Sequence, residues 1–375
     1  MIRRQSQPLI TSSPHTSDQC GSWGDAVDDA GTRAARRNIH PNARCAKPSR
    51  GAQACNANPL SLDARAGYSH HEARARVPPC STSATSDTRL PGHMRLTRWG
   101  AIGAERPAVI IDGLRKDCTA HFTDWTPAFF RTGGMAELRA LLDSGVALPD
   151  VPDAARWASC VPRPGKLVCI GLNYTDHAAE VGAKVPREPI VFLKGTNTVV
   201  GPYDDVLIPR LSAKTDYEVE LGIVIGADAR YLDSVADAGR HIAGFCIVHD
   251  VSEREFQVER GGQWTKGKSC DTFAPTGPWV ATPEEIGDVN ALALELDVNG
   301  MRRQTGSTAS MVFNPSVLVH YLSQFMTLEA GDLVATGTPP GVGMAMKPPR
   351  FLAADDVVEL RIAHLGHQRQ VFRPA

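Results

Sequence analysis

Short stretches in which hydrophobic and polar residues alternate dominate the chain from Met94 onward, and this spacing is typical of β-strands rather than long helices. Residues 94–100 and 107–113 predict a hairpin with a turn near Gly103. Residues 134–142 predict a short amphipathic helix. Together these elements predict a small N-terminal α+β module over residues 94–160.

Many short strands, separated by Gly and Pro, follow a proline-rich junction within residues 150–165. One longer apolar pattern at residues 315–326 predicts a helix with Leu318, Leu322 and Phe325 on one face. The chain contains no internal repeat. Residues 161–375 are therefore expected to form a mainly β domain with a few short helices laid on it.

Residues 1–93 differ from the rest of the chain in composition. They are rich in Arg, Ala, Ser, Pro and Gly, contain a single lysine, Lys47, and show neither helical nor strand periodicity. Such a segment cannot bury enough apolar surface to offset its conformational entropy. Acidic residues such as Asp25 and Glu72 make it a poor transit peptide. We predict that the segment is a disordered tail or a start-site artefact, with translation beginning at Met94.

The overall composition is that of an ordinary globular protein. A net charge of −1 with 22% charged residues favours neither nucleic acid nor an anionic membrane as a partner. No run of about 18 apolar residues is available to span a bilayer. The nine cysteines include no Cys-x-x-Cys motif, so reduced thiols and a cytoplasmic location are expected.

Two glutamates share one face of the strand predicted at residues 216–226. Side chains alternate along a strand, so Glu218 and Glu220 point the same way and the hydrophobic residues between and after them point the other way. Two buried anions side by side would repel each other, and a divalent cation would remove that cost. A third carboxylate, Asp250, follows the apolar run at residues 242–248.

Three carboxylates without a cysteine or an obligatory histidine form a hard oxygen site, which favours Mg²⁺ or Mn²⁺ over Zn²⁺. The alternative is that the two glutamates lie on a solvated strand face and that Asp250 caps the following helix. The spacing of the residues alone does not decide between these interpretations.

A histidine and a glutamate share one face of a short predicted helix. The helix follows a strand at residues 166–171, with Asn173 or Thr175 as its cap. His177 and Glu180 are three residues apart and therefore within reach of each other. A histidine oriented by a carboxylate can take a proton from water near neutral pH. The alternative is a surface ion pair.

Polar residues after Asp250 can stabilise negative charge. We predict a helix that starts at Asp250 and carries Arg254 and Gln257, and the following segment presents Lys266 and Lys268 around a glycine. A lysine or glutamine next to a metal can stabilise an oxyanion. Solvated surface charge is the alternative, and it fits Lys266 better than Lys268.

Residues 335–343, here called the glycine turn, contain Gly337, Gly341 and Gly343. Glycine permits backbone conformations in which N–H groups are left free to hold a carboxylate. The alternative is a turn that binds nothing.

The chain resembles the fumarylacetoacetate hydrolase superfamily over residues 94–375, because seven motifs occur in the order seen in that family. They are Gly-Leu-Asn-Tyr-x-x-His-x-x-Glu (171–180), Phe-Leu-Lys (192–194), Tyr-Glu-Val-Glu-Leu (217–221), His-Asp-Val-Ser-x-Arg (249–254), Gly-Lys-Ser (267–269), Gly-Asp (331–332) and Thr-Gly-Thr-Pro-x-Gly-Val-Gly (336–343). The resemblance implies a mixed β-sandwich roll for the catalytic domain, residues 161–375, and a homodimer.

The resemblance also implies a role for individual residues. It implies that one Mg²⁺ or Mn²⁺ ion is held by Glu218, Glu220 and Asp250. It implies a water-activating dyad on a short lid and two groups near the developing oxyanion, which are His177 with Glu180, and Lys268 with Gln257. The residues implied to contact a small 2-oxo acid substrate are Lys194, Arg254, Gly337 and Thr338.

Within the superfamily, residues 338–352 resemble bacterial hydrolases of 2,4-diketo-3-deoxy sugar acids derived from fuconate or rhamnonate. This resemblance implies cleavage of a 2,4-dioxo acid to pyruvate and a carboxylic acid. The alternatives are an isomerase, hydratase or lyase of the 2-hydroxyhepta-2,4-diene-1,7-dioate isomerase or ureidoglycolate lyase type, or a non-catalytic protein that binds metal and sugar acid. Three residues beside the site depart from the family pattern, namely His249, Glu253 and Cys270.

Overall fold

The computed structural model describes residues 94–375, so the interpretation of residues 1–93 as a tail or start-site artefact lies outside the described residues. Strands dominate the described part of the chain: β1 (Arg95–Trp99), β2 (Arg106–Ile111), β3 (Leu114–Asp117), β4 (Leu167–Gly171), β5 (Ile190–Lys194), β6 (Val199–Val200), β7 (Val206–Ile208), β8 (Thr215–Asp216), β9 (Val219–Ile225), β10 (Ile242–His249), β11 (Ser252–Glu253), β12 (Ala274–Ala281), β13 (Ala293–Val298), β14 (Met301–Ser307), β15 (Leu333–Ala335), β16 (Val357–Ile362) and β17 (Gly366–Pro374).

The helices between these strands are short. The α-helices are α1 (Pro127–Arg131), α2 (Gly134–Asp143), α3 (Thr175–Glu180), α4 (Thr265–Lys268), α5 (Pro283–Ile286) and α6 (Pro315–Ser323). A π-helix spans Glu255–Glu259, and 3₁₀ turns lie at Thr196–Thr198, Val235–His241, Val289–Ala291, Thr308–Ser310 and Gly343–Ala345.

Most strands belong to two sheets. The larger sheet has the order β3-β2-β1-β12-β10-β9-β15-β4-β5, with β6 paired to β12, and the smaller has the order β14-β13-β16-β17-β7. The larger sheet is mixed, since β15 runs parallel to β4 and antiparallel to β9. Strands β8 and β11 form a separate two-stranded ribbon. The prediction of a mainly β fold with short helices is confirmed.

The central strand β9 is buried on both faces. Val219, Leu221 and Ile223 of β9 join Leu294 and Leu296 of β13 in one continuous core, which places this core between the two sheets. The side chains between them face the opposite way, where a second core continues under the N-terminal strands. This alternation is the one predicted from the sequence, and it directs two glutamates away from the main core.

The N-terminal strands extend the larger sheet. The predicted hairpin forms as β1 and β2, with Leu96 opposite Val109, and β1 pairs in turn with β12. The predicted amphipathic helix forms as α2. Trp125 and Phe129 lie with ring centroids 4.8 Å apart and pack into the core beneath these elements. The division into a module at residues 94–160 and a catalytic domain at 161–375 stays a prediction.

The predicted helix at residues 315–326 is shorter than expected. Helix α6 ends at Ser323, and although Leu318 and Leu322 are buried, Phe325 is 66% exposed. The N–H of Phe325 donates to Leu322 (3.1 Å), so the chain tightens after the last turn and carries Phe325 away from the buried face. The placement of Phe325 on that face was therefore wrong.

None of the helices among residues 94–375 has the length and apolar character that a membrane crossing requires.

Candidate active site and metal centre

Three carboxylates meet where β9 begins and β10 ends. The antiparallel pairing places Val248 opposite Glu220, and the Asp250 N–H donates to the Glu218 carbonyl (3.0 Å). One carboxylate oxygen from each of Glu218, Glu220 and Asp250 lies within 4.8 Å of the other two. All three side chains are buried, so the alternative of a solvated strand face is wrong.

Two buried lysines neutralise part of this negative charge. Lys268 Nζ donates to Glu218 Oε2 (2.8 Å) and to Asp250 Oδ2 (2.7 Å). Lys194 Nζ donates to Asp250 Oδ1 (2.5 Å) and to the carbonyl of Val251 (2.9 Å). Lys266 is exposed, as the surface-charge interpretation expected. Both buried lysines therefore contact the carboxylate cluster itself.

The protein environment affects the two glutamates in opposite ways. Burial alone would raise the pKa of Glu218, but Lys268 and Arg254 outweigh burial and hold that pKa well below its ordinary value. Burial, followed by the charges of Asp250 and Glu218, raises the pKa of Glu220 well above its ordinary value. Among the described residues no lysine or arginine forms an ion pair with Glu220, whose Oε2 accepts from the Gly337 N–H (2.9 Å).

These residues fit a divalent cation. The donor set consists of carboxylate oxygens, which Mg²⁺ and Mn²⁺ prefer, and its members already converge within a few ångströms. Of the three carboxylates, Glu220 is the one that forms no ion pair with a lysine or arginine of residues 94–375, so a bound cation would add positive charge where these side chains supply least. The fit rests on this charge imbalance as well as on the donor type.

The predicted histidine–glutamate pair forms on α3. His177 Nδ1 lies 2.9 Å from Glu180 Oε2, and the second carboxylate oxygen of Glu180 accepts from the Gly341 N–H (2.8 Å). His177 is buried whereas Glu180 is exposed, so the pair is not a fully solvated surface ion pair. The glycine turn that donates to Glu180 through Gly341 also donates to Glu220 through Gly337, so the same turn connects the pair to the carboxylate cluster. Because Glu180 lies against Nδ1 of the imidazole ring, Nε2 is the ring nitrogen that remains to accept a proton.

The expected cap of this helix was wrong. Tyr174 occupies the cap position and no side chain caps the helix. Asn173 instead donates to the carbonyls of Phe313 (3.0 Å) and Thr336 (2.8 Å), and thereby ties the start of α3 to the glycine turn. Because its side-chain oxygen accepts from the Phe313 N–H (2.9 Å), Asn173 does not cap the helix.

The helix expected to start at Asp250 was also wrong. Ribbon strand β11 follows Asp250, and the π-helix begins only at Glu255. Arg254 lies between them, where its Nε donates to Asp216 Oδ2 (2.9 Å) and its Nη1 to Gln257 Oε1 (3.0 Å). Arg254 Nη2 lies 2.7 Å from Glu218 Oε1. Arg254 thus contacts Glu218 of the carboxylate cluster, and Gln257 of the π-helix contacts Arg254.

The glycine turn does not leave its glycine N–H groups free. The N–H of Gly337 donates to Glu220, that of Gly341 to Glu180 and that of Gly343 to Asp216. Each of these acceptors is a carboxylate of the protein, so the expectation of free N–H groups for a substrate carboxylate was wrong. The turn instead connects three acidic side chains. It lies next to them because β15, which leads into the turn, pairs with β9.

Thr338 lies inside the same turn and is buried. Its hydroxyl donates to the Val219 carbonyl (2.9 Å) and accepts from Gln304 Nε2 (2.8 Å). Gln304 in turn accepts from the Val219 N–H (3.0 Å). These bonds fix the turn against β9. The predicted contacts of Lys194, Arg254, Gly337 and Thr338 with substrate stay predictions.

The three departures from the family pattern have partners within the protein. Burial lowers the pKa of His249 to about 3, so its ring is neutral, and Nδ1 lies 3.0 Å from Gln370 Oε1. Glu253 is buried and accepts from the Thr215 hydroxyl (3.0 Å). Cys270 Sγ lies 3.7 Å from the Lys266 carbonyl.

Sequence reasoning missed Asp216. This carboxylate is fully buried and bonds to both Arg254 and the glycine turn. The signal was available, since Asp216, Glu218 and Glu220 follow one another at the two-residue spacing that pointed to the two glutamates.

Comparison with known proteins gives the same architecture. Residues 166–373 match the family model of the fumarylacetoacetate hydrolase C-terminal domain. A relative from Burkholderia multivorans, named only as a hydrolase, is 50% identical over 284 residues, which is 75% of this chain and all of the relative. A maleylpyruvate hydrolase from Sphingobium sp. SYK-6, solved with manganese(II) and pyruvate, is 26% identical over 75% of this chain and 100% of its own, with a TM-score of 0.63. A 2-hydroxyhepta-2,4-diene-1,7-dioate isomerase from Mycobacterium marinum is 30% identical over 75% of this chain and 98% of its own, with a TM-score of 0.59.

Proposed function

Because the chain belongs to the fumarylacetoacetate hydrolase family, we propose that it is a metal-dependent hydrolase that cleaves the carbon–carbon bond of a 2,4-dioxo acid. The substrate would be an acylpyruvate or a 2,4-diketo-3-deoxy sugar acid, and the products would be pyruvate and a carboxylic acid. The similar maleylpyruvate hydrolase, solved with pyruvate, supports this class of substrate.

One observation carries the proposal: a buried histidine, oriented by a carboxylate, lies beside a cluster of metal-ligand type. His177 Nδ1 is 2.9 Å from Glu180 Oε2, and the Gly341 N–H holds the other oxygen of Glu180. Isomerisation needs no water to be activated, whereas hydrolysis does. A fixed Nε2 acceptor therefore favours hydrolysis over the isomerase and lyase alternatives, and release of pyruvate distinguishes hydrolysis from the hydratase alternative.

The residues of this chain suit each step of that reaction. A divalent cation at the three carboxylates would supply Lewis acidity toward the carboxylate and 2-oxo oxygens of the substrate. His177 Nε2 takes a proton from water as the water oxygen bonds to C4 of the substrate. The buried Lys268 and the nearby Gln257 meet the negative charge that develops on the C4 oxygen.

Bond cleavage then follows. The C3–C4 bond breaks, its electrons remain with the pyruvate half as an enolate, and the acyl half leaves as a carboxylic acid. The enolate takes up a proton at C3 from solvent and becomes pyruvate, while His177 returns its proton to the solvent. The hydroxyl and the proton of one water molecule are thereby divided between the two products.

Further properties belong to the same proposal. The cation would be Mg²⁺ or Mn²⁺. The oxygen donor set and the manganese(II) bound to the similar hydrolase both support this choice. The protein would act as a cytoplasmic homodimer. The proposal that the substrate is a sugar acid derived from fuconate or rhamnonate rests on the resemblance of residues 338–352 to bacterial hydrolases of such acids.

The proposal is tested by mixing the Mg²⁺- or Mn²⁺-loaded protein with a panel of acylpyruvates and 2,4-diketo-3-deoxy sugar acids and measuring pyruvate. We expect pyruvate release, and we expect His177→Ala to reduce it by about 10²–10⁴-fold, the usual size of a general-base contribution. Metal affinity and deuterium exchange at C3 should change far less in this variant.

The opposite results would replace the hydrolase assignment. Native protein that exchanges or isomerises these acids without releasing pyruvate would be an isomerase or lyase. Cleavage at the native rate by His177→Ala would remove His177 from the reaction.

A further inference from the structure

Beside the three carboxylates lies a fourth, Asp216, which is fully buried at the end of β8. It is not part of the cluster of possible metal ligands among the described residues. Pairing of β8 with β11 places Asp216 opposite Ser252, and so brings it beside Arg254. Burial of an unpaired charge is costly, so a buried carboxylate at this position requires partners.

Four donors surround the Asp216 carboxylate. Oδ1 accepts from the N–H groups of Tyr217 (2.9 Å) and Gly343 (2.7 Å). Oδ2 accepts from the N–H of Met344 (3.0 Å) and from Arg254 Nε (2.9 Å). Both oxygens therefore have two donors each, and hydrogen bonds to an ionised acceptor are stronger than neutral ones.

On one side, Asp216 fixes the direction of a guanidinium. Arg254 bridges Asp216 and Glu218 and donates to Gln257 Oε1. A planar guanidinium held at both edges has little freedom to rotate. Asp216 thus determines how Arg254 and Gln257 face the carboxylate cluster.

On the other side, Asp216 fixes the end of the glycine turn. The Gly343 N–H approaches so closely that a Cβ at this position would lie 2.6 Å from Asp216 Oδ1 and would clash with the Arg350 carbonyl. Two residues earlier in the same turn, the Gly341 N–H holds Glu180, the partner of His177. The position of the turn therefore reaches the dyad.

We propose that Asp216 is a positioning residue that locks the glycine turn and Arg254 into one relative arrangement. Through the turn it sets the orientation of Glu180 and His177, and through Arg254 it sets Gln257. One carboxylate thereby aligns the two groups of residues that flank the metal ligands. The inference rests on the proposed function for its kinetic readout but on contacts within the protein for its geometry.

Asp216→Asn tests the inference, because all four partners of the carboxylate are donors and an amide NH₂ would face two of them. Asp332→Asn is the matched control: Asp332 is buried, accepts from the N–H groups of Lys166 and Glu329 (2.8 Å each) and pairs with the Lys166 ammonium. It precedes β15, whereas the glycine turn follows that strand.

We expect Asp216→Asn to lower kcat by about 10–100-fold, the usual effect of removing an outer-shell partner, with unchanged Mn²⁺ affinity. Oxalate, a planar dianion that mimics the carboxylate and enolate oxygens of enolpyruvate, should bind the Mn²⁺-loaded variant at least about tenfold more weakly by calorimetry. Asp332→Asn should keep native kcat and oxalate affinity.

Native kcat and oxalate affinity in Asp216→Asn would overturn the inference, and so would loss of Mn²⁺ binding, which would make Asp216 a determinant of the metal cluster. If Asp216→Asn fails to fold, kcat, Mn²⁺ affinity and oxalate affinity are measured on Met344→Pro instead. This variant removes the N–H of residue 344 as a donor to Asp216 and keeps the charge of the carboxylate. If native protein hydrolyses none of the acids, the hydrolase proposal fails, and oxalate affinity still decides the role of Asp216.

Discussion

At the scale of single residues, the three metal-ligand candidates are not equivalent. Glu218 and Asp250 each contact a lysine or arginine, whereas Glu220 contacts a backbone N–H. Removing Asp250 would leave the buried Lys194 without its carboxylate partner, which typically costs about 3–5 kcal/mol. Removing Glu218 would take one of two carboxylate partners from both Lys268 and Arg254. Glu220 can be neutralised without that consequence, and it therefore separates metal binding from folding.

We expect Glu220→Gln to abolish Mn²⁺ binding while the metal-free protein keeps or gains thermal stability. The amide retains the shape of the side chain and an oxygen for the Gly337 N–H, and it removes repulsion from Glu218 and Asp250, which together with burial raise the pKa of Glu220. Calorimetry measures Mn²⁺ affinity and a thermal melt measures stability.

Asp250→Asn is the comparison, because it weakens the contacts of Lys194 and Lys268 and should lower the melting temperature as well as Mn²⁺ affinity. Native Mn²⁺ affinity in Glu220→Gln would exclude Glu220 as a ligand. A melting temperature lowered as far as in Asp250→Asn would contradict the charge argument.

At the scale of elements, the glycine turn is the piece that connects the site. Its three glycine N–H groups donate to Glu220 of β9, Glu180 of α3 and Asp216 of β8. Gly341 has φ +110°, and a Cβ there would clash with the Arg303 carbonyl. The turn therefore depends on glycine for both its conformation and its close approach to β14.

We expect Gly341→Ala to reduce hydrolysis more than it reduces Mn²⁺ affinity, because the shifted turn withdraws the N–H from Glu180 but leaves the carboxylate cluster. Gly103→Ala is the control, since Gly103 also has positive φ (+80°) but has open space around its Cβ position. It should cost stability of order 1 kcal/mol from backbone strain and leave kcat unchanged. Equal losses of kcat in both variants would show that backbone strain, rather than the contact between the Gly341 N–H and Glu180, lowers kcat.

The same elements show what a sequence can predict. Alternation along β9 identified the face of Glu218 and Glu220 because a strand's period is local information. The partners of the glycine turn could not be read in this way, since Gly341 and Glu180 are far apart in sequence and meet only when β15 pairs with β4 and β9. Asn173 and Arg254 were misplaced for the same reason: long-range partners override local helix signals.

At the scale of the whole molecule, the described residues 94–375 contain both sheets, both cores and the complete candidate site. Met94 is already part of this structure: it is buried, and its N–H donates to the Thr282 hydroxyl (3.2 Å). The relative from Burkholderia multivorans is matched over its full length by 284 residues of this chain. From these observations we predict that residues 1–93 are dispensable.

We expect a chain that begins at Met94 to match the full chain in melting temperature and in kcat/KM for the acylpyruvate that the full chain cleaves best. A second chain that begins at Leu90, after an added initiator methionine, controls for the new terminal charge, because an α-ammonium group at Met94 would lie against the buried Thr282. If only the Met94 chain is destabilised, the buried charge is the cause and the prediction stands. If both chains are inactive or insoluble while the full chain works, residues 1–93 contribute to the folded enzyme, and their interpretation as a tail or start-site artefact is wrong.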